Sequence, residues 1–260
     1  MSEMALRIAA LRKRYGKRTA LDGLDLEVPR GSICGFIGPN GAGKTTTFGI
    51  VAGLLQADSG EVNVLGRGRF DPERDTGMLG VLPQDSEIPP HARVGEWLTH
   101  MARLQGMNRA TARQETQRVL KAMALEDRTR SALKTLSHGM RRRVAVGQAL
   151  LGNPRLVLLD EPTSGLDPHR VAEMRDLLAA QRDTRDTTLL VSSHVLSDLE
   201  AICDHAVWIE SGRCVGQGSL DQLTRRGQRI RVRLDREPDL GPLRRELSAL
   251  VLRWEQDWLW

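Results

Sequence analysis

The apolar positions of this chain fall into short strand-like runs that are separated by longer helical patterns. Residues 6–11 and 21–28 are predicted as strands, and the second segment alternates apolar and acidic positions as a half-buried strand does. Residues 156–159 are continuously apolar, which is typical of a buried strand in a parallel sheet, and residues 187–191 are predicted as another buried strand. Because helical patterns alternate with these runs, the sequence predicts an α/β fold with a mainly parallel sheet.

The middle of the chain has a different character, because its apolar residues recur at helical spacing and no strand-like run intervenes. Two helices are predicted there, at 94–104 and 109–124, and a third is predicted to begin after Ser137 and to run to Leu151. Ser137 suits the N-cap of this third helix, where its hydroxyl can accept a backbone hydrogen bond. The sequence therefore predicts a helical subdomain of about 86–152, inserted into the α/β domain.

The C-terminal segment is predicted to be a small appendage at 226–260, beyond a main domain at 1–225. Residues 229–234 alternate apolar and basic positions as a strand with one basic face does, and 240–250 shows a helical pattern. Several tryptophans lie near the C-terminus. They could meet a partner, but simple packing is favoured because exposed tryptophans promote aggregation.

A glycine-rich segment matches the phosphate-binding pattern Gly-x-x-x-x-Gly-Lys-[Ser/Thr] between a strand-like run and a helical pattern at 45–55. Its glycines let backbone N–H groups turn towards a phosphate, and the following helix adds a positive dipole end. In this pattern Lys44 reaches the β- and γ-phosphates, and Thr45 binds Mg²⁺. The predicted nucleotide-binding residues of the loop are Gly38, Pro39, Asn40, Gly41, Ala42, Gly43, Lys44, Thr45 and Thr46.

Two carboxylates follow the apolar run at 156–159, at the point where a buried strand ends. Asp160 is the expected Mg²⁺ ligand, because an acidic residue there emerges beside the phosphates. Glu161 points in a different direction and could polarise a water molecule. A simple charged turn explains this pair poorly, because two carboxylates at the end of a buried strand are costly without a partner.

Four further residues are weaker candidates when each is considered alone. Ser137 begins a helix whose free N–H groups can face an anion. His194 follows a third apolar strand and is either a γ-phosphate contact or a structural histidine. Gln84 follows a short strand and is either a metal ligand or a surface residue, and Tyr15 either stacks on adenine or packs in a turn.

Composition narrows the choice of partners only modestly. The chain has 260 residues with 40% hydrophobic and 27% charged residues, which is ordinary for a globular protein. A net charge of +5 could suit an anionic membrane surface or nucleic acid, but it is more often only a solvated surface. The aromatic content of 3% argues against base-stacking recognition of single strands.

The apolar runs and the cysteines of the sequence bear on its compartment and on metal binding. No apolar run is long enough to span a bilayer, and residues 1–10 are too mixed in character for a signal peptide. The cysteines form no Cys-x-x-Cys pair, which favours a reduced, cytosolic compartment. Cys203, His205 and Cys214 could be imagined as metal ligands, but buried or unreactive thiols are favoured because a fourth ligand is missing.

Taken together, these motifs resemble the nucleotide-binding subunit of an ABC transporter over roughly residues 5–225. Residues 38–46 resemble the Walker A segment, and 156–160 resemble Walker B followed by the catalytic carboxylate Glu161. Residues 164–167 resemble the D-loop. The remaining matches are Tyr15 to the adenine-stacking residue, Gln84 to the Q-loop glutamine and His194 to the switch histidine.

Residues 136–140, Leu-Ser-His-Gly-Met, stand where the family carries the signature Leu-Ser-Gly-Gly-Gln. The resemblance implies that Ser137 and Gly139 keep the two positions that meet the γ-phosphate. His138 and Met140 depart from the family pattern, and methionine at 140 replaces a glutamine that the resemblance implies would make one ribose-side contact. A methionine there resembles the branch that pairs with separately encoded membrane subunits and often exports its cargo.

The resemblance implies a P-loop NTPase core of mainly parallel sheet with an antiparallel β subdomain and a helical insertion. It implies an ATPase coupled to transmembrane transport. Two chains are expected to form a head-to-tail dimer that holds ATP and Mg²⁺ between them. The implied catalytic residues are Lys44, Glu161 and His194, and the implied residues around the metal are Thr45, Gln84 and Asp160.

The partners implied by the resemblance are an integral membrane permease subunit and a second ATP-binding subunit, expected as a homodimer. The permease is expected to dock on Gln84 and the helices between 93 and 124. The chain is expected at the cytoplasmic face of the cell membrane as a peripheral protein, and the expected direction of transport is export.

Two alternative functions come from different classes of protein. The first is a soluble ABC-type ATPase that acts on nucleic acid or ribosomes, but such relatives usually carry two cassettes or a long coiled coil, so no nucleic acid partner is expected. The second is a regulatory subunit that binds ATP without hydrolysis. The complete set of Lys44, Asp160, Glu161 and His194 argues against it.

Overall fold

The computed structural model describes residues 3–86, 88–185, 187–194, 199, 202–220, 232–233, 254–255 and 258–259. The strands and helices of the first part of the chain are β1 (Met4–Tyr15), β2 (Arg18–Pro29), β3 (Ile33–Ile37), α1 (Lys44–Val51), β4 (Ser59–Val64), β5 (Leu79–Leu82), α2 (Val94–Leu104) and α3 (Arg109–Ala122). Those that follow are α4 (His138–Ala149), β6 (Leu156–Leu159), α5 (Pro168–Arg185), β7 (Thr188–Ser193), β8 (His205–Glu210), β9 (Arg213–Ser219), β10 (Val232–Arg233), β11 (Trp254–Glu255) and β12 (Trp258–Leu259).

The larger sheet has six strands in the order β5-β6-β7-β3-β8-β9, and all neighbours are parallel except β8 and β9. Its central strands β3, β6 and β7 are buried along their whole length, as expected of parallel strands whose sheet is covered on both faces. The continuous apolar runs in the sequence predict this burial. The mainly parallel sheet of the predicted fold is confirmed.

A second sheet of three antiparallel strands, in the order β2-β1-β4, forms the predicted antiparallel subdomain. The alternation in 21–28 places Leu24, Leu26 and Val28 inside, each fully buried. The inner face of this sheet packs on one side of the larger sheet, in a core that includes Phe36 and Phe48. This packing fixes the segment between β3 and α1 against the small sheet.

The helical insertion shares its core with the larger sheet. Residues Leu98 of α2, Leu120 of α3 and Val144 of α4 are buried in one cluster with Val157 of β6 and Met174 of α5. Ser137 caps α4 as predicted, because its Oγ accepts a hydrogen bond from the backbone N–H of Met140 at 3.2 Å. Since α4 packs on the sheet, its N-terminus has a defined position relative to the strand ends.

Helix α1 ends earlier than the sequence predicts. The apolar spacing continues to Leu55, but the helix ends at Val51, and Gly53 turns the chain with φ of 73°. Leu54 is therefore 73% exposed although its position fits the apolar stripe. A glycine in the left-handed region ended the helix, and the periodicity alone did not reveal this.

The described residues belong to two compact units, Met1–Leu220 and Asp221–Trp260. The second unit contains a three-stranded antiparallel sheet in the order β10-β12-β11. Strand β10 lies within the predicted strand at 229–234, while the predicted helix at 240–250 lies outside the described residues. The boundary predicted at 225 falls near this division and stays a prediction. No helix in the described part of the chain is both long enough and apolar enough to cross a membrane.

Candidate functional site

The candidate residues meet at one edge of the larger sheet, where three parallel strands end side by side. Strand β3 pairs with β7 so that Ile37 lies opposite Ser193, and β6 pairs with β7 so that Leu159 lies opposite Val191. The phosphate-binding loop follows β3, the two carboxylates follow β6, and His194 follows β7. This register brings the three segments together at the carboxyl ends of the strands, where open α/β sheets bind ligands.

The phosphate-binding loop requires glycine where the chain approaches its neighbours most closely. Gly43 has φ of 113°, and a Cβ atom there would lie 2.6 Å from the Leu21 side chain. A Cβ atom on Gly38 would lie 2.2 Å from the carbonyl oxygen of Ile209. Gly43 is also the N-cap of α1 and offers no capping side chain, so the first N–H groups of the helix stay available for an anion.

Lys44 is buried and its ammonium group is held by the loop itself. The Nζ atom donates to the carbonyl oxygens of Gly38 at 2.7 Å and Pro39 at 3.2 Å, and it lies 3.8 Å from the Glu161 carboxylate. The Lys44 ammonium group and the free N–H groups at the start of α1 supply positive charge and hydrogen-bond donors at this loop. A polyphosphate has the complementary charge.

Asp160 is almost completely buried, and two hydroxyl groups donate to its carboxylate. Thr45 Oγ1 donates to one carboxylate oxygen at 2.7 Å, and Ser192 Oγ donates to the other at 2.5 Å. Thr45 is exposed while Asp160 is 1% exposed, so this oxygen pair opens towards solvent on the side of the loop. A carboxylate with a neighbouring hydroxyl fits a hard divalent cation such as Mg²⁺.

Glu161 occupies a strained backbone position. Its φ is 49°, in the left-handed region that residues other than glycine rarely adopt, and its N–H donates to Ser192 Oγ at 2.8 Å. Its carboxylate is buried and lies 3.3 Å from His194 Nδ1 as well as near Lys44. Such strain costs about 1–3 kcal/mol and is typical of active sites.

Gln84 and Tyr15 lie at the surface, and their roles stay predictions. The backbone carbonyl oxygen of Gln84 accepts from Arg142, and no hydrogen bond within the described residues joins its side chain to Thr45 or Asp160. Tyr15 ends β1 with 46% of its surface exposed, and Lys13 Nζ lies 5.6 Å from its ring centroid. An exposed aromatic ring near a positive charge is suited to stack on a base.

The signature segment lies at a different cavity from the phosphate-binding loop. A cavity of about 440 Å³ is lined by residues of α4 and of the segment that begins α5, including Ser137 and Gly139. The lining residues described come from 137–143 and 166–174, and none comes from 38–46. The structure therefore brings together Lys44, Thr45, Asp160, Glu161 and His194 in one place, and Ser137 with Gly139 in another.

Three residues that sequence reasoning missed take part in these sites. Ser192 bridges Asp160 and Glu161, and its signal was a buried hydroxyl at the end of an apolar strand. Arg142 donates to backbone carbonyl groups of residues 160–162, the turn after β6 that is called the carboxylate turn below. Arg170 donates to Ser137 Oγ at 2.9 Å. The two arginines had no usable signal, because arginine on a surface helix is ordinarily solvated.

All three cysteines, Cys34, Cys203 and Cys214, lie in the described part of the chain. No group of three or more His, Cys, Asp or Glu residues within the described ranges could hold a metal ion. Burial raises the pKa of the Cys203 thiol to about 12 and also raises the pKa of Cys34 and Cys214. All three are free thiols and remain protonated at neutral pH.

Comparison with known families gives one matching model, described as ABC transporter, over residues 21–164. The Nod factor export ATP-binding protein I of Ralstonia nicotianae is 37% identical over 223 residues, which are 84% of this chain and 68% of that protein. The bacitracin transport ATP-binding protein BcrA of Bacillus licheniformis is 34% identical over 222 residues, covering 84% of this chain and 71% of that protein.

Solved structures with the same architecture include an ATP-binding cassette and part of an ABC transporter complex. The cbiO1 protein of Clostridium perfringens, described as part of the ABC transporter complex cbiONQ, matches with a TM-score of 0.79 and 25% identity. That match covers 86% of this chain and 92% of cbiO1. The ADP conformation of MJ1267, an ATP-binding cassette, matches with a TM-score of 0.76 at 23% identity, over 84% of this chain and 92% of that one, and shows the fold alone. The predicted P-loop NTPase fold is confirmed.

Proposed function

Because this chain belongs to the ABC transporter family as an ATP-binding subunit, we propose that two copies of it close around ATP and drive a membrane permease. Such subunits are ATPases, so the chain hydrolyses ATP to power transport. The relatives whose name includes Nod factor export support an export direction. The homodimer, the residue roles and the attachment to a permease at the cytoplasmic face of the membrane are parts of this proposal.

The observation that carries the proposal is the division of the candidate residues between two separate places in the fold. Lys44, Thr45 and Asp160 lie together, while Ser137 and Gly139 line a cavity to which the phosphate-binding loop does not contribute. If both sets bind the same triphosphate, the second set must come from another chain. The γ-phosphate then satisfies donors on both chains, and its loss weakens the interface.

Within the catalytic half-site, Glu161 orients or deprotonates the attacking water, and His194 lies beside that carboxylate at 3.3 Å. Lys44 stabilises charge on the transferring phosphoryl group. Thr45 and Asp160 would hold Mg²⁺, which supplies further neutralisation of phosphate charge when bound. Gln84 would approach the metal from the loop after β5, and Tyr15 would stack on the adenine.

The proposed docking surface for the permease is Gln84 with helices α2 and α3. These helices border a cavity of about 730 Å³ in which basic side chains greatly outnumber acidic ones, with Glu96 as the acidic residue. The basic residues of this cavity are Arg93, His100, Arg103, Arg109, Arg113 and Arg130. A groove with this charge favours an acidic partner segment, because complementary charge steers and orients association.

A photo-crosslinking experiment tests this docking surface. A photoreactive amino acid placed at Arg103, on the exposed groove, is expected to crosslink to the permease when both are co-expressed. The same amino acid at Glu61, exposed on strand β4 of the small sheet, is the matched control and is expected to give no permease crosslink. Permease crosslinks from position 61 with none from position 103 would contradict the proposed surface.

A further inference from the structure

Arg142 is a half-buried residue of α4 whose guanidinium group meets two separate loops at the catalytic edge. Its Nη2 atom donates to the carbonyl oxygens of Asp160 at 2.9 Å and Glu161 at 2.6 Å. Its Nε atom donates to the Pro162 carbonyl at 3.2 Å, and its Nη1 atom lies 3.4 Å from the Gln84 carbonyl. One side chain therefore binds three consecutive carbonyl groups of the carboxylate turn and one of the loop after β5.

The turn that Arg142 binds is the one with the strained backbone. Glu161 has φ of 49°, and a conformation of this kind persists only where the surroundings fix it. Ser192 fixes the N–H of Glu161, and Arg142 fixes the carbonyl groups before, at and after that residue. The peptide units on both sides of Glu161 are thus held, which defines the direction of its carboxylate.

The Arg142 guanidinium group is a half-buried positive charge with carboxylates nearby. Burial lowers the pKa of Arg142, and the nearby negative charges of Asp160, Glu161 and Asp85 offset this effect only in part. Arginine is suited to this position because its planar group carries five donors in a fixed fork, whereas a lysine ammonium is a single point of donation. Three different nitrogen atoms of the fork reach these carbonyl oxygens on two loops, whereas a single ammonium nitrogen would have to reach all of them from one point.

We propose that Arg142 is a positioning residue that holds the Glu161 turn in its hydrolytic conformation and ties it to the Gln84 loop. The proposal rests on the role proposed above for Glu161 in orienting water. Arg142 itself acts through Glu161, and no contact with ATP is assigned to it. Because Ser137 caps α4 and Gly139 lies in its first turn, the contact links α4, the carboxylate turn at 160–162 and the loop of Gln84 within one chain.

Steady-state ATPase kinetics of the transporter with Arg142→Ala test the proposal. The expected result is a fall in kcat of about 10- to 100-fold with the KM for ATP changed less than about twofold, because misplacing a catalytic group slows chemistry more than binding. The kcat of Arg142→Lys is expected to fall to a similar extent, because lysine keeps the positive charge but lacks the forked arrangement of donors. Arg141→Ala, the exposed neighbour on α4, is the matched control and is expected to keep wild-type kinetics.

Two results would overturn the proposal: a kcat for Arg142→Ala within about twofold of wild type, or an Arg142→Lys variant with wild-type kcat. If Arg142→Ala does not fold, Arg142→Gln carries the same test, because its amide can bind one of the two loops but cannot bridge them.

A double variant separates a positioning role from an independent one. In a Glu161→Gln background, adding Arg142→Ala is expected to cause no further loss of turnover, because the group that Arg142 positions is already absent. A further loss as large as that in the wild-type background would show independent action and overturn the proposal. If Glu161→Gln itself turns over at the wild-type rate, the role proposed for Glu161 fails. If Glu161→Gln is inactive and Arg142→Ala is normal, only the inference about Arg142 fails.

Discussion

Replacing Glu161 with glutamine is expected to lower ATP turnover by about 100- to 10,000-fold, the contribution typical of a general base. Glutamine has the same shape but cannot accept a proton or polarise water as strongly as a carboxylate does. ATP binding is expected to persist, because Lys44, Thr45 and Asp160 are unchanged and glutamine can still lie beside His194. The variant should therefore accumulate as a dimer with ATP bound, which size-exclusion chromatography with and without ATP measures.

The matched control for this variant is Glu126→Gln, which removes an exposed carboxylate in the segment after α3. Turnover and dimer formation of that control are expected to match wild type. Unchanged turnover in Glu161→Gln would contradict the catalytic assignment. Loss of ATP binding in Glu161→Gln would also contradict it. That result would show that the buried carboxylate, 3.8 Å from Lys44, is needed to hold the phosphate-binding loop.

Replacing Lys44 with alanine is expected to reduce the affinity for ATP by at least about 100-fold. A hydrogen bond to a charged group contributes about 1.5–3 kcal/mol, which corresponds to about 10- to 100-fold in affinity, and Lys44 is expected to reach two phosphates. The change also removes the donor that binds the Gly38 and Pro39 carbonyls, so the loop loses an internal support. Equilibrium binding of a fluorescent ATP analogue measures the affinity.

The control for this change is Lys121→Ala, an exposed lysine of α3, which is expected to bind ATP with wild-type affinity. Tight ATP binding by Lys44→Ala would contradict the assignment of residues 38–46 as the nucleotide site. A thermal unfolding curve close to that of wild type would show that lost binding does not reflect lost folding.

The half-site around the phosphate-binding loop could be predicted from the sequence because it depends on strand ends. A run of apolar residues predicts a buried strand, and the residue after the run must emerge at the edge of the sheet. Strand ends therefore predict Lys44, Asp160, Glu161 and His194 in one neighbourhood, and in the structure Glu161 lies 3.8 Å from Lys44 and 3.3 Å from His194. The roles assigned to these residues remain predictions.

The contacts made by arginine could not be predicted, because they depend on how α4 lies against the sheet. Arg141, Arg142 and Arg143 are consecutive in sequence and look like a solvated run. Only the docking of the helix directs Arg142 towards the carboxylate turn and leaves Arg141 exposed. The early end of α1 could not be predicted from apolar spacing either. Leu54 fits the apolar stripe of the helix, but it lies beyond Gly53, whose left-handed backbone ends the helix.

Mixing two inactive variants tests most directly whether each ATP site is shared between two chains. The first variant is Lys44→Ala, which keeps Ser137, and the second is Ser137→Arg, which keeps the phosphate-binding loop. The two carry different affinity tags and are co-purified with the permease so that both chains are present. If the site is shared, one complete site is restored in each mixed dimer, and ATPase activity is expected to return. A mixture as inactive as each variant alone would contradict a shared site.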